Sequence, residues 1–534
     1  MLTLVVDALA SGRGWRASAR DAIGAGPRAI AGVLEKHGLE CRIARAEDAL
    51  RSRELLASAD VVLASAMTMD IEALRRLSYA VKLKRPEVPM VAGGPAASDP
   101  AALLSRTLFD IAVIGEGEKA LEELLSIGLS DGSIPDPDDL KSVRGVAYRW
   151  RGRVVVTEQR PLMPRRELDL YKPSTKRVTD YPHYFAARVY VEVVRGCSNF
   201  NRTTLKLRSG LKCTGCNRCS SGSLAERLSC PAGIRPGCGY CSVPSLYGPP
   251  RSRSIELILS EVRELIALGV RRVVLSAPDF LDYMRDVLVE PEPLTDPRSP
   301  EPNYTAIEEL LARLRDVAEE AGACIMLENV KPSLFTERAA RLIAEYLPGT
   351  PVHIGCETGD PAHSRALGRP STPAEALEAA RRAARYGLKP YVYFIHGLPA
   401  QTQETVEKTV ELMEKLSEAG VEKVTVYRFK PLPMSAFEHE PPGRPASRDL
   451  LSRRIVEAAK QLNTRRKLEL VGKRMRVIVA EPHPRDRRHA YAYPVKGGPA
   501  VLLVNGASMI ASVVEVEVTR VLSDRLVEAE LAES

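Results

Sequence analysis

Seven of the ten cysteines in this chain lie between Cys197 and Cys241. They recur at spacings that suit metal or cluster ligation, and they are Cys197, Cys213, Cys216, Cys219, Cys230, Cys238 and Cys241. Ten cysteines in 534 residues are too few for a disulfide scaffold, and their clustering indicates metal binding in a reducing compartment. The sequence therefore predicts iron–sulfur chemistry with thiolate ligands.

Seven cysteines divide into a site of three and a site of four, and two partitions are open. Cys238 and Cys241 belong to the site of three in both. In the favoured partition Cys197 completes that site, because a reactive cluster belongs where a barrel strand ends at its carboxyl edge. In the other partition Cys230 takes the third place and Cys197 joins the remaining set. A site of three leaves one iron open for a further ligand, whereas four cysteines close a site.

The remaining cysteines of the favoured partition form an insert at residues 198–237. Its order, C-x2-C-x2-C followed later by Cys230-Pro, resembles that of bacterial ferredoxins with a longer last gap. A second 4Fe-4S cluster fits these residues, and so does a closed zinc site.

Strands alternate with helices around these cysteines. A β-branched run ends at RGC, the segment IELILSEVRELIALG has apolar residues at helical spacing, and later strands read VRRVVLSAP, ACIMLENV, PVHIGCETG, LKPYVYFIHGLP and EKVTVYRFKPLP. This alternation predicts a parallel sheet or barrel. The residues after each strand are then expected at one edge, where a site can form.

Two further units flank this region. Short apolar strands in residues 1–165 (TLVVDA, ECRIA, DVVLASAMT, PMVAGGPAAS and DIAVIGEGE) predict a doubly wound open sheet. A basic amphipathic helix at residues 449–467 precedes a run of alternating strands that predicts a small β-barrel. The fold class is therefore α/β, with domains expected at 1–165, 166–445 and 446–534.

The region of about residues 185–445 resembles the radical S-adenosylmethionine (SAM) superfamily, in the branch shared by cobalamin-binding members and methylthiotransferases. The resemblance rests on RGC with a downstream CGYC, on Cys356-Glu357-Thr358-Gly359 followed by SRALGRPST, and on FIHGLPAQTQET. It implies that a 4Fe-4S cluster on three cysteines binds SAM and, with a low-potential electron donor, releases a 5′-deoxyadenosyl radical. The protein's task is then positioning and exclusion of water.

The same resemblance implies roles for residues around the cluster. Tyr240 matches the aromatic residue that members place near the adenine. Ser276 and Asp279 stand where members hold the amino group, although the usual Gly-Gly-Glu pattern is missing. Glu357 at its strand end, with Arg365 and Arg369 beyond it, could pair with the carboxylate end, because arginine offers a planar fork to carboxylates; a surface ion pair is the alternative role of either arginine.

The segment His396-Gly397-Leu398-Pro399 ends another strand. Gly397 lets backbone approach the adenine closely. His353 and His396 are expected to be core or hydrogen-bonding residues, because no partner acid is visible for either.

The N-terminal turns GGPAAS and GEGE look like those of a cobalamin-binding domain. Members that ligate cobalt through histidine use D-x-H-x-x-G, but here Asp7-Ala-Leu9-Ala-Ser-Gly12 has leucine at the histidine position. Cobalamin binding without that ligand and a fold kept without cobalamin both stay open. Cys41 is the only cysteine of this segment, which disfavours a standard methylthiotransferase.

The C-terminal strands look like a TRAM domain, an RNA-binding barrel. Residues 446–534 hold sixteen Lys and Arg against eleven Asp and Glu, which is five of the chain's eight net positive charges. Cationic and aromatic side chains suit RNA phosphates and bases. The predicted RNA-binding residues are Lys473, Arg474, Arg476, Arg485, Arg487 and Arg488, with Tyr491 and Tyr493.

Composition sets the remaining limits. The chain has no apolar run near 18 residues and no signal-peptide pattern, so we expect a soluble cytoplasmic protein without a membrane partner. Few Gln and Asn beside abundant Arg, Glu and Pro are typical of a thermophile. Residues 285–305, rich in proline and acidic residues, are expected to act as a lid or recognition loop.

These observations favour methyl transfer to an unactivated carbon of RNA, with tRNA as the expected partner. Sulfur insertion is the enzymatic alternative. A non-catalytic iron–sulfur protein that binds RNA and senses redox state is the alternative of another class.

Overall fold

The computed structural model describes residues 1–16 and 19–532. It divides into two compact units, Met1–Val191 with Arg253–Gly269, and Glu192–Ser252 with Val270–Ser534. We describe each unit by itself.

The secondary-structure elements are numbered in chain order. The strands are β1 Thr3–Asp7, β2 Ala22–Ile23, β3 Cys41–Arg45, β4 Val61–Ser65, β5 Met90–Gly93, β6 Ile111–Val113, β7 Val146–Trp150, β8 Arg153–Val156, β9 Arg188–Glu192, β10 Val194–Arg195, β11 Arg251–Ser252, β12 Arg272–Ser276, β13 Cys324–Leu327, β14 Asn329–Val330, β15 Pro351–Glu357, β16 Lys389–His396, β17 Lys423–Arg428, β18 Arg474–Pro482, β19 Ala490–Pro494, β20 Ala500–Leu503, β21 Val513–Val521 and β22 Leu526–Leu531. The helices are α1 Ala25–Lys36, α2 Ala46–Arg51, α3 Arg53–Ser58, α4 Ile71–Lys82, α5 Pro100–Arg106, α6 Glu118–Ser126, α7 Pro137–Leu140, α8 Arg165–Leu168, α9 Arg218–Ser221, α10 Val243–Tyr247, α11 Ile255–Ala267, α12 Tyr304–Glu320, α13 Glu337–Tyr346, α14 Pro361–Ala366, α15 Pro373–Arg385, α16 Gln403–Glu418 and α17 Leu450–Leu468.

The first unit contains a seven-stranded sheet in the order β3-β1-β4-β5-β6-β7-β8. Strands β3 to β6 of this order are parallel, and β7 and β8 are antiparallel additions. Its strands are nearly continuous apolar runs, as a sheet covered by helices requires. A fully buried ion pair, Arg28 Nη1 to Glu261 Oε1 at 2.7 Å, joins α1 to α11 within this unit.

The second unit carries the parallel strands that the alternation predicts. Strand β12 pairs with β13, and β14-β15-β16-β17 form a four-stranded parallel sheet. One face of this sheet is apolar and buried, with Ile354 and Phe394 at 0% exposure. His353, Gly355 and Glu357 alternate with the buried residues of β15 and are half-buried. The same period-two pattern therefore leaves the opposite face for a site.

Helix α17 protects the open edge of this sheet. The side-chain amide of Asn463 accepts from Val424 N–H at 2.8 Å and donates to Val424 O at 2.7 Å. It thus satisfies backbone groups that an edge strand leaves unpaired.

A closed five-stranded barrel, β18-β19-β20-β22-β21, follows α17. The expectation of a small C-terminal barrel is confirmed. Lys389 Nζ donates to Gly497 O at 3.2 Å, Lys496 Nζ donates to Pro348 O at 3.2 Å, and Arg272 lies over the Tyr493 ring at 5.7 Å. Because Lys389 and Arg272 begin β16 and β12, this barrel contacts the amino ends of the parallel strands.

Candidate functional site

Cys197 is held at the end of β10. Its N–H donates to Gly248 O at 3.0 Å, and the preceding Gly196 has φ of +92°. A Cβ on Gly196 would lie 2.3 Å from Pro249 O, so this close approach of two backbones requires glycine. The local chain therefore fixes where the Cys197 sulfur stands.

Cys238 and Cys241 lie on the turn before α10, where Cys241 N–H donates to Cys238 O at 2.8 Å. Asn199 connects this turn to Cys197, since its backbone N–H donates to Cys197 Sγ at 3.4 Å and its Nδ2 to Cys238 Sγ at 3.3 Å. The structure thus brings Cys197 together with the C-x2-C turn. Sequence reasoning missed Asn199, because nothing local marks an asparagine as a sulfur ligand's neighbour.

The three thiols suit a shared metal cluster. Burial raises the pKa of Cys197 to about 11, and burial followed by the neighbouring Cys238 and Cys197 raises the pKa of Cys241 to about 12. A metal reverses this preference, because cysteine ligands bind as thiolates. In the described part of the chain no cysteine forms a disulfide, and no three Cys, His, Asp or Glu side chains converge as ligands of one ion. Each cysteine of a 4Fe-4S cluster binds a different iron, so its sulfurs stay farther apart than ligands of a single ion.

Among the described residues, the hydrogen bonds of Asn199 to sulfur reach Cys197 and Cys238 and none of the insert cysteines. Cys213 and Cys230 pack at an apolar cluster that includes Leu207, Ile234 and Tyr240. Cys216 is exposed, and the Arg218 backbone N–H lowers the pKa of its thiol. A second metal on the insert stays a prediction. The contacts of Asn199 favour the partition that places Cys197 with Cys238 and Cys241.

Two arginines fasten the insert. Arg202 donates to Ile234 O at 2.8 Å and to Arg227 O at 2.9 Å. Arg227 in turn donates to Cys219 O at 3.1 Å and to Asp296 Oδ2 at 2.7 Å. The expected lid, residues 285–305, is thereby tied to the insert through Asp296.

Tyr240 belongs to a buried polar chain. Arg369 Nη1 donates to the Tyr240 hydroxyl and, at 3.2 Å, to Glu357 Oε1, while its Nη2 donates to Gly355 O at 2.7 Å. Burial raises the pKa of Glu357 and Arg369 opposes this rise. Of the two predicted arginines, the structure brings only Arg369 to Glu357, whereas Arg365 is exposed. Arg369 Nε is buried without a partner, which leaves a donor directed into this region.

Ser276 and Asp279 already have protein partners. Ser276 Oγ donates to Glu328 Oε2 at 2.7 Å. Asp279 accepts from Lys331 Nζ at 3.0 Å and from Lys331 N–H at 2.9 Å. The role of Asp279 toward an amino group stays a prediction. Glu328, which follows β13, adds a carboxylate beside Ser276 that was not predicted.

His396 and Gly397 lie at the carboxyl end of β16. Gly397 has φ of +73°, its N–H donates to Gln401 Oε1 at 2.6 Å, and a Cβ there would lie 2.6 Å from Gly443 Cα. Burial lowers the pKa of His396, so its ring is neutral near pH 7. The close approach at Gly397 is therefore with another segment of this chain.

Aromatic rings cover the half-buried face of the β15–β17 sheet, opposite the face that the buried residues form. Tyr393 stacks on Tyr427 with centroids 5.8 Å apart, and His353 Nδ1 hydrogen-bonds the Tyr393 hydroxyl at 3.0 Å. Tyr427 is 55% exposed. Tyr393 pairs in register with Gly355, which adjoins Glu357 and Arg369. This aromatic face was not predicted.

Residues 429–445, which we call the strap, connect β17 to α17 and lie on the cysteine turn. Phe437 N–H donates to Gly239 O at 2.8 Å, and a Cβ on Gly239 would lie 2.4 Å from the Phe437 ring. Glu440 accepts from Arg208 N–H at 2.7 Å. The strap therefore holds both the CGYC turn and the insert.

The predicted cobalamin-type turns lie at the carboxyl edge of the parallel strands of the first unit. Gly94 has φ of +78°, and a Cβ there would lie 2.8 Å from Ala66 O. Trp15, Met67 and Met69 are 56%, 38% and 53% exposed on the loops after β1 and β4. Exposed apolar side chains at this edge fit a broad, largely apolar ligand such as a corrin ring.

The basic surface of the C-terminal barrel is interrupted by acids. Arg474 stands opposite Glu517, and Arg476 stands opposite Glu515. Arg488 pairs with Asp486 at 2.7 Å, and Tyr493 packs on Arg272 instead of facing a ligand. Lys473, Arg485 and Arg487 are exposed. Their role in RNA binding stays a prediction.

Comparisons with known proteins fit this geometry. The family model described as the radical SAM superfamily matches residues 230–426, and the B12 binding domain model matches residues 17–125. Residues 230–426 of the chain thus form a radical SAM domain. It is 45% identical over 525 residues to an uncharacterized protein of Methanopyrus kandleri, covering 98% of this chain and 95% of that one.

Relatives that are less similar to this chain have named activities. The ribosomal protein uS12 methylthiotransferase RimO of Ralstonia nicotianae is 25% identical over 257 residues, which are 48% of this chain and 55% of RimO. The radical SAM methyltransferase TsrM of Kitasatospora setae, solved with cobalamin and a [4Fe-4S] cluster, has the same fold with a TM-score of 0.58. That match has 15% identity and covers 82% of this chain and 76% of TsrM.

The family sets the cofactors. A radical SAM protein uses a 4Fe-4S cluster and SAM, and the B12 binding domain of this chain makes cobalamin a possible third. Among residues 1–16 and 19–532, no helix is long and apolar enough to span a membrane.

Proposed function

We propose that the protein cleaves SAM reductively at a cluster held by Cys197, Cys238 and Cys241. The observation that carries this is the Asn199 side chain and backbone, which contact the sulfurs of Cys197 and Cys238 together. When bound, the cluster supplies one electron to SAM, whose carbon–sulfur bond breaks to leave methionine and a 5′-deoxyadenosyl radical.

The chain's own residues orient the reactants around this cluster. Tyr240, fixed by Arg369, presents a ring beside Cys238, and the unpartnered Nε of Arg369 offers a donor for a carboxylate. The predicted adenine contact at Gly397 belongs to this proposal, and so does the predicted amino-group contact at Asp279, whose carboxylate would exchange a hydrogen bond from Lys331 or Leu281 for one from the amino group. Half-buried thiols leave access for SAM while limiting water.

We propose that the protein modifies an unactivated carbon in the ring of an RNA base. The aromatic face of Tyr393 and Tyr427 can stack a planar ring, and it adjoins Glu357 and Arg369. The C-terminal barrel, here proposed to be a TRAM domain, carries the exposed Lys473, Arg485 and Arg487 for phosphates.

The geometry of the second unit supports a large RNA over a small one. The C-terminal barrel contacts the amino ends of the strands, whereas the site residues follow their carboxyl ends. A seven-residue strand such as β15 spans about 23 Å. An RNA that binds the barrel and also places a base at the site must therefore extend at least this far, which suits a folded RNA such as tRNA.

Methyl transfer is the proposed reaction type. A bound corrinoid would supply the methyl group, and the exposed Trp15, Met67 and Met69 support its binding at the first unit. Sulfur insertion is the second candidate, because Cys213 and Cys230 pack in the same apolar cluster as Tyr240. A cluster on the insert would then stand close to the reaction.

The first experiment is anaerobic iron, zinc, sulfide and corrinoid analysis of the purified protein, followed by a SAM cleavage assay. About eight irons and eight sulfides per chain mean two 4Fe-4S clusters, and four irons with one zinc mean a structural insert. Bound corrinoid supports methyl transfer. Its absence after growth with cobalamin supports sulfur insertion.

Cleavage is measured as 5′-deoxyadenosine formed by the reduced protein, with and without tRNA. We expect Cys238→Ala to abolish it. Cys197→Ala should abolish it while Cys230→Ala retains it, and the reverse result would assign the open site to Cys230. Absence of 5′-deoxyadenosine from the fully loaded wild type, with every RNA fraction tested, would refute the enzymatic function.

A further inference from the structure

A buried ion cluster lies directly beside Cys197. Lys331 Nζ donates to Ser198 Oγ at 2.8 Å, to Asp279 Oδ2 at 3.0 Å and to Asp282 Oδ2 at 2.6 Å. Arg285 Nη1 donates to the other oxygen of Asp282. Asp279, Asp282 and Arg285 are 0% exposed, and Lys331 is 8% exposed.

The cluster is attached to the cysteine through Ser198, the next residue in the chain. Asp282 accepts from Ser198 N–H at 3.3 Å and from Ser198 Oγ at 2.9 Å. Ser198 therefore cannot turn without breaking contacts to Asp282 and Lys331. The backbone that carries Cys197 is fixed on one side by Gly248 and on the other by these ions.

Lys331 also brings its charge close to the sulfur. Its Nζ lies 2.8 Å from Ser198 Oγ, and Ser198 directly follows Cys197 in the chain. Burial alone would lower the pKa of Lys331, but Asp279, Asp282 and then Cys197 raise it. The ammonium therefore stays charged, and it does so in surroundings of low dielectric constant, where its effect reaches the sulfur with little screening.

The charges balance as they stand. Two cations, Lys331 and Arg285, meet two carboxylates, Asp279 and Asp282, and backbone N–H groups of Lys331 and Leu281 complete the shell of Asp279. Burying four charges is costly, because the effective desolvation penalty is several kcal/mol per ion. Apolar side chains of similar volume would fill the same space at least as well. Placing such a group against one cysteine therefore calls for a functional reason.

We propose that Lys331 is a positioning residue of the iron–sulfur site, which fixes Cys197 through Ser198 and stabilises the reduced cluster by its positive charge. The inference rests on the proposed function, in that Cys197 is taken as a ligand. Reduction adds one negative charge to the cluster, so a fixed cation nearby raises the reduction potential. The negative charge of Asp279 opposes the effect of Lys331 and limits the rise in the reduction potential.

The test is the reduction potential of the reconstituted cluster, followed by electron paramagnetic resonance during an anaerobic redox titration without SAM. Lys331→Met removes a positive charge and should shift the potential to more negative values. Asp279→Asn removes a negative charge from the same cluster and should shift it to more positive values. We expect each shift to reach at least a tenfold change in the reduction equilibrium, which is 59 mV for one electron.

A merely structural role would not make the sign of the shift follow the charge removed, because both substitutions disturb the same contact of Lys331 Nζ with Asp279 but remove charges of opposite sign. Lys408→Met is the control for loss of an exposed lysine, since Lys408 is 40% exposed beside Glu404. Shifts of the same sign, or shifts no larger than that of Lys408→Met, would overturn the proposal. Where Lys331→Met holds no cluster, the sign of the Asp279→Asn shift alone decides.

The outcome is separate from that of the proposed function. The potential is measured without SAM, so a protein that fails to cleave SAM still reports on Lys331. A Cys197→Ala variant that keeps the cluster with an unchanged potential would show that Cys197 is not a ligand, and it would refute this inference even where SAM cleavage is intact.

Discussion

At the scale of single residues, Arg369 connects parts of the site that are far apart in the sequence. It reaches the hydroxyl of Tyr240 from the cysteine turn, the carboxylate of Glu357 and the carbonyl of Gly355. The Glu357 side chain is only 13% exposed, so its charge depends on this guanidinium to be tolerated.

Arg369→Met should lower the free energy of unfolding by about 3–5 kcal/mol, because it leaves Glu357 as an uncompensated buried charge. Denaturant unfolding of the two variants Arg369→Met and Arg365→Met measures this. Arg365 is exposed and should change stability by no more than about 0.5 kcal/mol. Equal losses of unfolding free energy in both variants would mean that the contacts of Arg369 with Tyr240, Glu357 and Gly355 do not stabilise the protein.

The residues that chemistry marks were predictable, and their neighbours were not. Cysteine spacing placed Cys238 and Cys241 in one site, because thiolate ligation restricts both residue type and separation, and the strand end favoured Cys197 over Cys230 as the third ligand. Asn199 and Lys331 are ordinary residues in sequence. They become informative only when the fold places the backbone and side-chain amides of Asn199 each against a sulfur, and the ammonium of Lys331 between two carboxylates.

At the scale of elements, the strap determines how the cysteine turn is held. Phe437 lies on Gly239, the residue between Cys238 and Tyr240. The strand–helix alternation was readable from periodicity, since amphipathic helices and apolar strands have different periods. The strap was not, because proline-rich connections have no period and their packing depends on the surface they meet.

Gly239→Ala should displace the ring of Phe437, because the added Cβ would lie 2.4 Å from it. We expect a loss of about 1–3 kcal/mol in unfolding free energy, as for other overpacked sites, and a lower iron content per chain. Phe437→Leu in the same chain should restore iron binding by removing the ring. If the double variant binds no more iron than Gly239→Ala, the strap does not control the turn.

At the scale of the whole molecule, the distribution of charge bears on the partner. The excess of positive charge in residues 446–534 was visible in composition, but the structure pairs Arg474 and Arg488 with acids. Cross-strand register decides such pairing, and sequence does not give register. Arg485 and Arg487 keep the exposure that phosphate binding needs.

Replacing Arg485 and Arg487 together by alanine should weaken binding of bulk tRNA and lower the slope of log affinity against log salt by about two, one unit per phosphate contact. Fluorescence anisotropy at several salt concentrations measures both. The variant Arg381→Ala with Arg385→Ala removes the same charge from α15 and should leave the slope unchanged. The same slope in all three proteins would remove the barrel from the proposed RNA interface.

The contact of Phe437 with Gly239 also has a consequence for the order in which the protein matures. Phe437 is synthesised almost two hundred residues after Cys238, and chains fold from the amino end as they emerge from the ribosome. The cysteine turn is therefore synthesised long before the residue that packs on it. Iron and sulfide that arrive in that interval meet a turn without the Phe437 contact, whereas after release they meet a turn whose Gly239 is held by the strap. The timing of cluster insertion relative to chain synthesis would in this way decide how freely the turn can adjust to the metal.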